Sequence, residues 1–345
     1  MKRIFVGAAV AMMSILVAML VLEGAVRVFR PSPSVEQYRN NVSDPFLPFK
    51  PKPVSVSSGR SFSDEFDYYY LHNSFGFRDV EHTYIKDEGV YRILGLGDSF
   101  TYGVGADFEE TYLYRLETLL NGRAGEHPTV EIIKAGIPRY FSETELILLQ
   151  EYGLEYSPNL VIVGFLPNDV IDTYFGLDAV VLDKSGYLKT RMAAELGQFG
   201  MWLDQNSHAL RILLRRLTAF RMSQLYEPHW EDVYVENGFH EDDWRTVEDD
   251  YQRMLSTAGQ IEADVLIVHI PQAGPWNESH YYPPERLAKW AAEHDAGFVD
   301  VLPAMVHSSI GQRLYYEKDG HATPAGYAII ADEIFDYLTV SGIVP

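Results

Sequence analysis

The sequence predicts an α/β fold, a three-layer α/β/α sandwich around a five-stranded parallel sheet. Three observations predict it. From Tyr91 onward, short apolar runs of strand length alternate with longer stretches whose apolar residues recur at helical spacing. The short runs are continuously apolar, as strands covered on both faces require. The first three end at Gly97, Gly136 and Pro167, residues that stop strands and open turns.

Taken in order, the chain begins with Met1, Lys2 and Arg3, then an apolar run from Ile4 to Leu22 broken only by Gly7 and Ser14. Nineteen such residues make a helix of roughly 28 Å, close to the hydrocarbon thickness of a bilayer. A cleaved signal segment has a shorter apolar core and a small-x-small site; Val21 to Ala25 offers no convincing one. A retained transmembrane helix is therefore expected over residues 1–30. Lys2 and Arg3 favour a cytoplasmic N-terminus, which puts the remainder outside the cytoplasm, although Arg27 and Arg30 lean the other way. Cleavage would instead give a secreted protein.

Residues 31–89 read as a linker and domain-edge segment. Pro31, Pro33, Pro45, Pro48, Pro51 and Pro53, with the serines of Ser55 to Ser63, suggest extended chain. Tyr68 to Leu71 suits a short strand, and the turn Asn73 to Arg78 leaves Arg78 to pair with an acidic residue of the main domain.

The main domain, 90–345, starts with a strand over Tyr91–Leu96. A helix follows over Thr111–Leu120, a strand over Val130–Ala135, a helix over Glu143–Tyr156 and a strand over Leu160–Leu166. After an insertion come a helix over Glu248–Ile261, a strand over Asp264–Ile270, a helix over Pro284–His294 and a fifth strand over Phe298–Val301. The last helix starts with Thr323 as cap and Pro324 in its first turn, and runs through Leu338. Five parallel strands with helices between them make a flavodoxin-like arrangement. The insertion, about 172–243, is too long for a simple loop. Its best helix covers Leu203–Leu225, with Arg211, Arg215 and Arg216 mostly opposite the apolar side and Arg221 within it. A lid helix with a solvated basic face is expected there.

The net charge of −21 opposes a nucleic-acid partner, whose affinity comes largely from basic contacts to phosphate. The chain has no cysteine, so disulfides, thiolate metal sites and cysteine nucleophiles are excluded.

Ser99 follows the first strand, at the edge where open α/β sheets bind ligands. A serine hydroxyl is a weak nucleophile until a base takes its proton. Of eleven histidines, His321 lies in the loop before the last helix, at the same sheet edge. The others, His269 among them, have ordinary core or rim readings. Asp319, two residues before His321, can hold the imidazole in the tautomer that leaves one nitrogen free to accept. No further ligand residues accompany this pair, so neither a metal nor a cofactor is expected. Acyl transfer also needs donors for the developing oxyanion. Three strand ends can supply them: the Ser99 N–H, the Gly136 N–H and the side-chain amide of Asn168.

This series resembles the SGNH (GDSL-type) hydrolases, from about Tyr91 to Leu338 without the insertion. The blocks Gly97 to Gly105 (GDSFTYGVG) and Asp319 to Tyr327 (DGHATPAGY) are its most specific parts. The four signature residues map to Ser99, Gly136, Asn168 and His321, with Asp319 as the triad acid. The segment Asn73 to Arg78 and the apolar N-terminus resemble membrane-attached bacterial members. Two departures stand out: Leu166 occupies the place of the glycine in Gly-x-Asn-Asp, and Lys318 that of an acid three residues before the histidine. The resemblance implies a serine esterase acting through an acyl-enzyme on small-molecule, glycan or lipid esters, O-acetyl groups among them. Two rivals stand beside it: an O-acyltransferase on extracytoplasmic glycans with the same residues, and a non-catalytic glycan-binding protein with a degenerate site. A nucleotide-binding fold is disfavoured because Gly103 and Gly105 do not form G-x-G-x-x-G.

Overall fold

A computed structural model describes residues 2–32, 40–123, 125, 127–177, 180–225, 231–274 and 282–345. Pro33 of the expected linker, and residues 178–179 and 226–230 of the expected insertion, lie outside them. The apolar N-terminus forms one helix, α1 (Lys2–Phe29), long and apolar enough to cross a membrane and unburied over its apolar window. Length and composition of this kind suit a membrane span or a signal sequence.

The segment expected to be a linker is built into the domain instead. Strands β1 (Asn41–Val42) and β2 (Lys50–Pro51) pair antiparallel, as do β3 (Ser55–Arg60) and β4 (Asp67–His72). The serines read as linker thus lie partly in β3. Apolar residues between prolines anchor the segment: Leu47, Phe49, Tyr68, Tyr70 and Phe77 are buried, and Phe75 stacks on Phe77 at 4.3 Å.

The main sheet opens with β5 (Val90–Gly97), followed by the single-turn helix α2 (Ser99–Tyr102) and by α3 (Tyr112–Asn121). Then come β6 (Thr129–Lys134), α4 (Ser142–Glu151), β7 (Leu160–Phe165) and α5 (Asn168–Phe175). No helix is expected from the sequence at Pro167-Asn168-Asp169; the structure starts α5 there, with Pro167 at the cap. The insertion supplies the hairpin β8 (Val180–Leu182) and β9 (Leu188–Thr190), then α6 (Arg191–Glu195), α7 (Gly197–Asn206) and α8 (His208–Leu225). The single helix expected over 203–225 is broken at Ser207, which is extended and turns its hydroxyl to the Leu210 N–H at 3.1 Å. A serine here serves better as a cap than as a helix interior. Arg211, expected on the solvated face, is buried and donates to the carbonyls of Ser32, Asp204 and Gln205.

Helix α9 (Glu241–Ala258) starts seven residues earlier than its apolar period suggests, because Glu241, Asp242 and Asp243 suit the positive end of the helix dipole. Strand β10 (Asp264–His269), α10 (Pro283–His294), β11 (Gly297–Asp300), the unexpected short helix α11 (Leu302–Ser308) and α12 (Pro324–Ser341) complete the chain. The five strands are parallel in the order β11-β10-β7-β5-β6, the flavodoxin-like arrangement. Alternate residues feed two cores. Leu94, Leu96, Val161, Val163 and Ile267 pack under α4, α9 and α10, while Ile93, Ile132, Leu160, Ile162 and Val268 pack under α3 and α12. All five strands therefore deliver their C-terminal ends to one edge.

Candidate active site

The turn carrying Ser99 is shaped by what surrounds it. At Gly97 φ is +150°, and a Cβ there would sit 2.0 Å from Thr101 Oγ1, so the strand leaves the sheet on a residue without a side chain. The Asp98 carboxylate accepts from the Phe100 N–H at 2.8 Å and caps α2. The helix ends at Gly103 in the left-handed region. Its C-terminal carbonyls are held by Arg78, which donates to Tyr102 O at 3.2 Å, Gly103 O at 2.6 Å and Ala106 O at 2.8 Å. Arg78 thus pairs with carbonyls rather than with an acid. A helix end with orphan carbonyls attracts a cation as a carboxylate would, and the Tyr70 ring lies 4.3 Å from the guanidinium.

From the other end of the chain, His321 reaches back over Ser99. Its Nε2 lies 2.8 Å from Ser99 Oγ, and its Nδ1 meets Asp319 Oδ1. An ionised carboxylate only accepts, so Nδ1 carries the proton and Nε2 is left to accept from the serine. The loop is held by a residue that sequence reasoning missed. Glu65 accepts from the N–H groups of Glu317 (3.0 Å), Lys318 (2.8 Å) and Asp319 (2.8 Å), and pairs with Arg313. Burial would raise the Glu65 carboxyl, but these donors bring it down to about 2.

Asn168, first residue of α5, shares the cavity wall with Ser99. Gln272, also missed, donates Nε2 to Asn168 Oδ1 at 2.6 Å and so turns the Asn168 amide nitrogen toward Asp98 and Asp172, each 3.3 Å away. Gly136 sits behind α2: a Cβ would lie 2.4 Å from Tyr102 N and 2.5 Å from Thr101 C. Its neighbours Ala135 and Ile137 donate to Gly95 O and Gly97 O, drawing this loop along the end of β5. Where the family pattern has glycine, Leu166 is buried in the core and donates its N–H to Asp169.

Burial raises the Asp98 carboxyl, against the Phe100 hydrogen bond and the facing His321. Asp172 is pushed up to about 6 by burial, against the charge of Arg139. Burial and the Arg78 charge lower His72 to about 4, so it is neutral near pH 7, with Nε2 2.7 Å from the Tyr102 hydroxyl.

Ser99, Asn168, Asp319 and His321 all face one cavity of about 780 Å³, walled by Tyr70, His72 and Phe141 and, from the insertion, by Thr218 and Arg221. Gly136 stays behind α2 rather than in that wall.

Residues 96–329 match the profile of the GDSL-like lipase/acylhydrolase family, about two thirds of the chain. The chain belongs to that family. As a GDSL-like hydrolase it is a serine enzyme acting on ester bonds. Among solved structures it is similar to a lipolytic protein of the G-D-S-L family from Veillonella parvula, at 12% identity and TM-score 0.44, over 72% of this chain and 98% of the other. It is also similar to an acetylxylan esterase from Geobacillus stearothermophilus, at 13% identity and TM-score 0.45, over 72% of this chain and 94% of the other. Comparison with curated proteins gives no significant match.

Proposed function

We propose that the enzyme is a membrane-anchored serine esterase in which Ser99 is the nucleophile, His321 the base and Asp319 the group that orients it. Ser99 Oγ attacks the ester carbonyl carbon and its proton passes to His321 Nε2. Oxygen charge develops on the carbonyl, within the cavity that the Ser99 N–H and the Asn168 amide border, while Gly136, behind α2, supports the turn that carries Ser99 instead of donating from the wall. As the carbon–oxygen bond to the alcohol breaks, the alcohol leaves with the proton from Nε2. Water then repeats the sequence on the acyl-enzyme, giving up its proton to Nε2, and Ser99 recovers its own when the acid leaves.

The observation that carries this reading is the Ser99–His321–Asp319 chain of hydrogen bonds in the wall of the cavity. The substrates are carboxylic esters, with O-acetyl groups of glycans and lipid esters as the leading classes. The apolar helix after Lys2 and Arg3 supports a single span with the catalytic domain outside the cytoplasm. Ser99→Ala should reduce hydrolysis of p-nitrophenyl acetate by at least about 10³-fold with an unchanged circular-dichroism spectrum. Retained activity would show that another residue is the nucleophile. Incubation with and without a glycan acceptor distinguishes release of free acid from transfer.

A further inference from the structure

We propose that α7 and α8 form a membrane-docking element that seats the open side of the Ser99 cavity on the bilayer spanned by α1. The proposal rests on reading α1 as a retained span.

The first support is how α1 is tied to the insertion. Glu23 is the residue at which the apolar run ends. Its carboxylate accepts from the His208 N–H at 3.0 Å, the Ala209 N–H at 3.0 Å and the Ser207 hydroxyl at 2.8 Å, capping the start of α8. One turn on, Arg27 donates to Asn206 O at 2.6 Å and pairs with Glu23. Beyond the helix, the Ser32 N–H reaches His208 Nδ1 at 3.0 Å and the Ser32 carbonyl accepts from Arg211. The junction of α7 and α8 is thereby held at the level where the span leaves the hydrocarbon.

The second support is what these helices leave uncovered. On α7, Phe199 and Trp202 are 70% and 56% exposed, with their rings stacked 5.9 Å apart. On α8, Leu213, Leu217 and Phe220 recur at spacings of four and three, so they lie along one face, and all three are exposed. Arg216 and Arg221 are exposed on the two sides of this stripe, while Arg215 lies on the other side of the helix, over the Phe62 ring. Aromatic and aliphatic side chains flanked by arginines, in a protein of net charge −21, suit an interface with anionic lipid. Continuity with α1 selects the bilayer over a second protein chain as the occupant.

The third support is that α8 also lines the site. Thr218 and Arg221 border the cavity that holds Ser99, together with Glu195 of α6. An ester carried by a membrane-resident amphiphile then reaches Ser99 along α8 without crossing bulk water.

The chain has no cysteine, so single labels can be placed in the full-length protein. Nitroxides on Phe199→Cys, Leu213→Cys, Leu16→Cys and Val340→Cys are compared in vesicles of phosphatidylcholine and phosphatidylglycerol. Val340, exposed at the far end of α12, reports bulk water. The expected result is that labels at 199 and 213 collide with oxygen more than with an aqueous nickel chelate, as at 16 and unlike 340. Labels at 199 and 213 as chelate-accessible as 340, with 16 shielded, would overturn docking while leaving the span intact. An accessible label at 16 would overturn both. Spin–spin broadening at 213 in vesicles and in detergent alike would assign the face to a second copy instead. In the triple variant Phe199→Ser, Trp202→Ser, Leu213→Ser, hydrolysis of a long-chain ester in vesicles should fall roughly tenfold, with soluble p-nitrophenyl acetate unaffected. Equal rates on the vesicle-borne ester would also overturn the proposal.

Discussion

Substituting Gly136 by alanine tests whether the loop after β6 sets the position of Ser99, the proposed nucleophile. The added Cβ would lie 2.4 Å from Tyr102 N, 2.5 Å from Thr101 C and 2.7 Å from Thr101 Cβ. Two of these atoms are backbone of α2 and cannot swing aside as a flexible side chain could. Relief to ordinary contact requires α2 or the Gly136 loop to move by about 1 Å. Ser99 begins that helix, and its Oγ meets His321 Nε2 at 2.8 Å, so a shift of this size breaks the contact. Misplacement on this scale costs about 10²-fold in rate, and overpacking a buried site costs about 1–3 kcal/mol in stability. Alanine retains the backbone N–H, so the loss reports displacement rather than a missing donor. Steady-state hydrolysis of p-nitrophenyl acetate gives kcat/KM, a thermal melt gives the stability change, and an organophosphonate probe gives the labelling rate of Ser99. We expect kcat/KM and labelling rate to fall together. A variant with kcat/KM within about twofold of the parent would refute the claim that this packing positions α2.

Three further outcomes follow from the site. Asn168→Ala should lower kcat about 10²–10³-fold with little change in KM for a small ester, the scale of one oxyanion donor; a pure KM effect would remove it from that role. Glu65→Gln should lower kcat about tenfold or more by loosening the Asp319–His321 loop, without altering the α/β core, so amide exchange should rise at Glu317 to Asp319 and not in the sheet. In the parent, the lowered Glu65 carboxyl contributes stability above its unfolded value of 4.5 that is lost only as pH falls toward about 2, so the loop should stay protected from exchange at pH 4. Asp172 has the opposite sign: its carboxyl is raised from 3.8 to about 6, so its stabilising protonation is lost as pH rises through that range. Asp172→Asn should therefore raise the melting temperature at pH 7 and lose that advantage near pH 4; a pH-independent shift would show that charge is not the cause.

How much of this was legible in the sequence depended on the range of the interaction. The strands were legible because each is continuously apolar and buried on both faces, and the order of chemistry-bearing residues at their ends put Ser99, Asn168 and the Asp319–His321 pair on one edge. Helix α5 was hidden because Pro167-Asn168-Asp169 has turn composition, and a proline at a helix start leaves the same signature. The break at Ser207 was hidden because apolar spacing continues across it, while its cause is Glu23, far away in the chain. Glu65 and Gln272 carried no signal, and Arg78, marked by its turn, was expected to meet an acid instead of the carbonyls it holds. Their partners are backbone groups or an amide at long range, which no spacing encodes.

Those contacts explain why the segment before the sheet belongs to the site. The Ser99–His321 contact joins two loops more than two hundred residues apart, and neither loop is a long regular element that would hold its own backbone polar groups. The same β3–β4 region and its following turn supply both partners, with opposite charges. Arg78 offers donors to the carbonyls at the end of α2, and Glu65 offers acceptors to the amides before Asp319. Between them Tyr70 lies under the Arg78 guanidinium, and its hydroxyl accepts from the Gly105 N–H at 3.4 Å. A cation bracing one loop and an anion the other fixes the serine and the histidine against a common support, so their 2.8 Å separation depends on the β3–β4 hairpin and the turn that follows it.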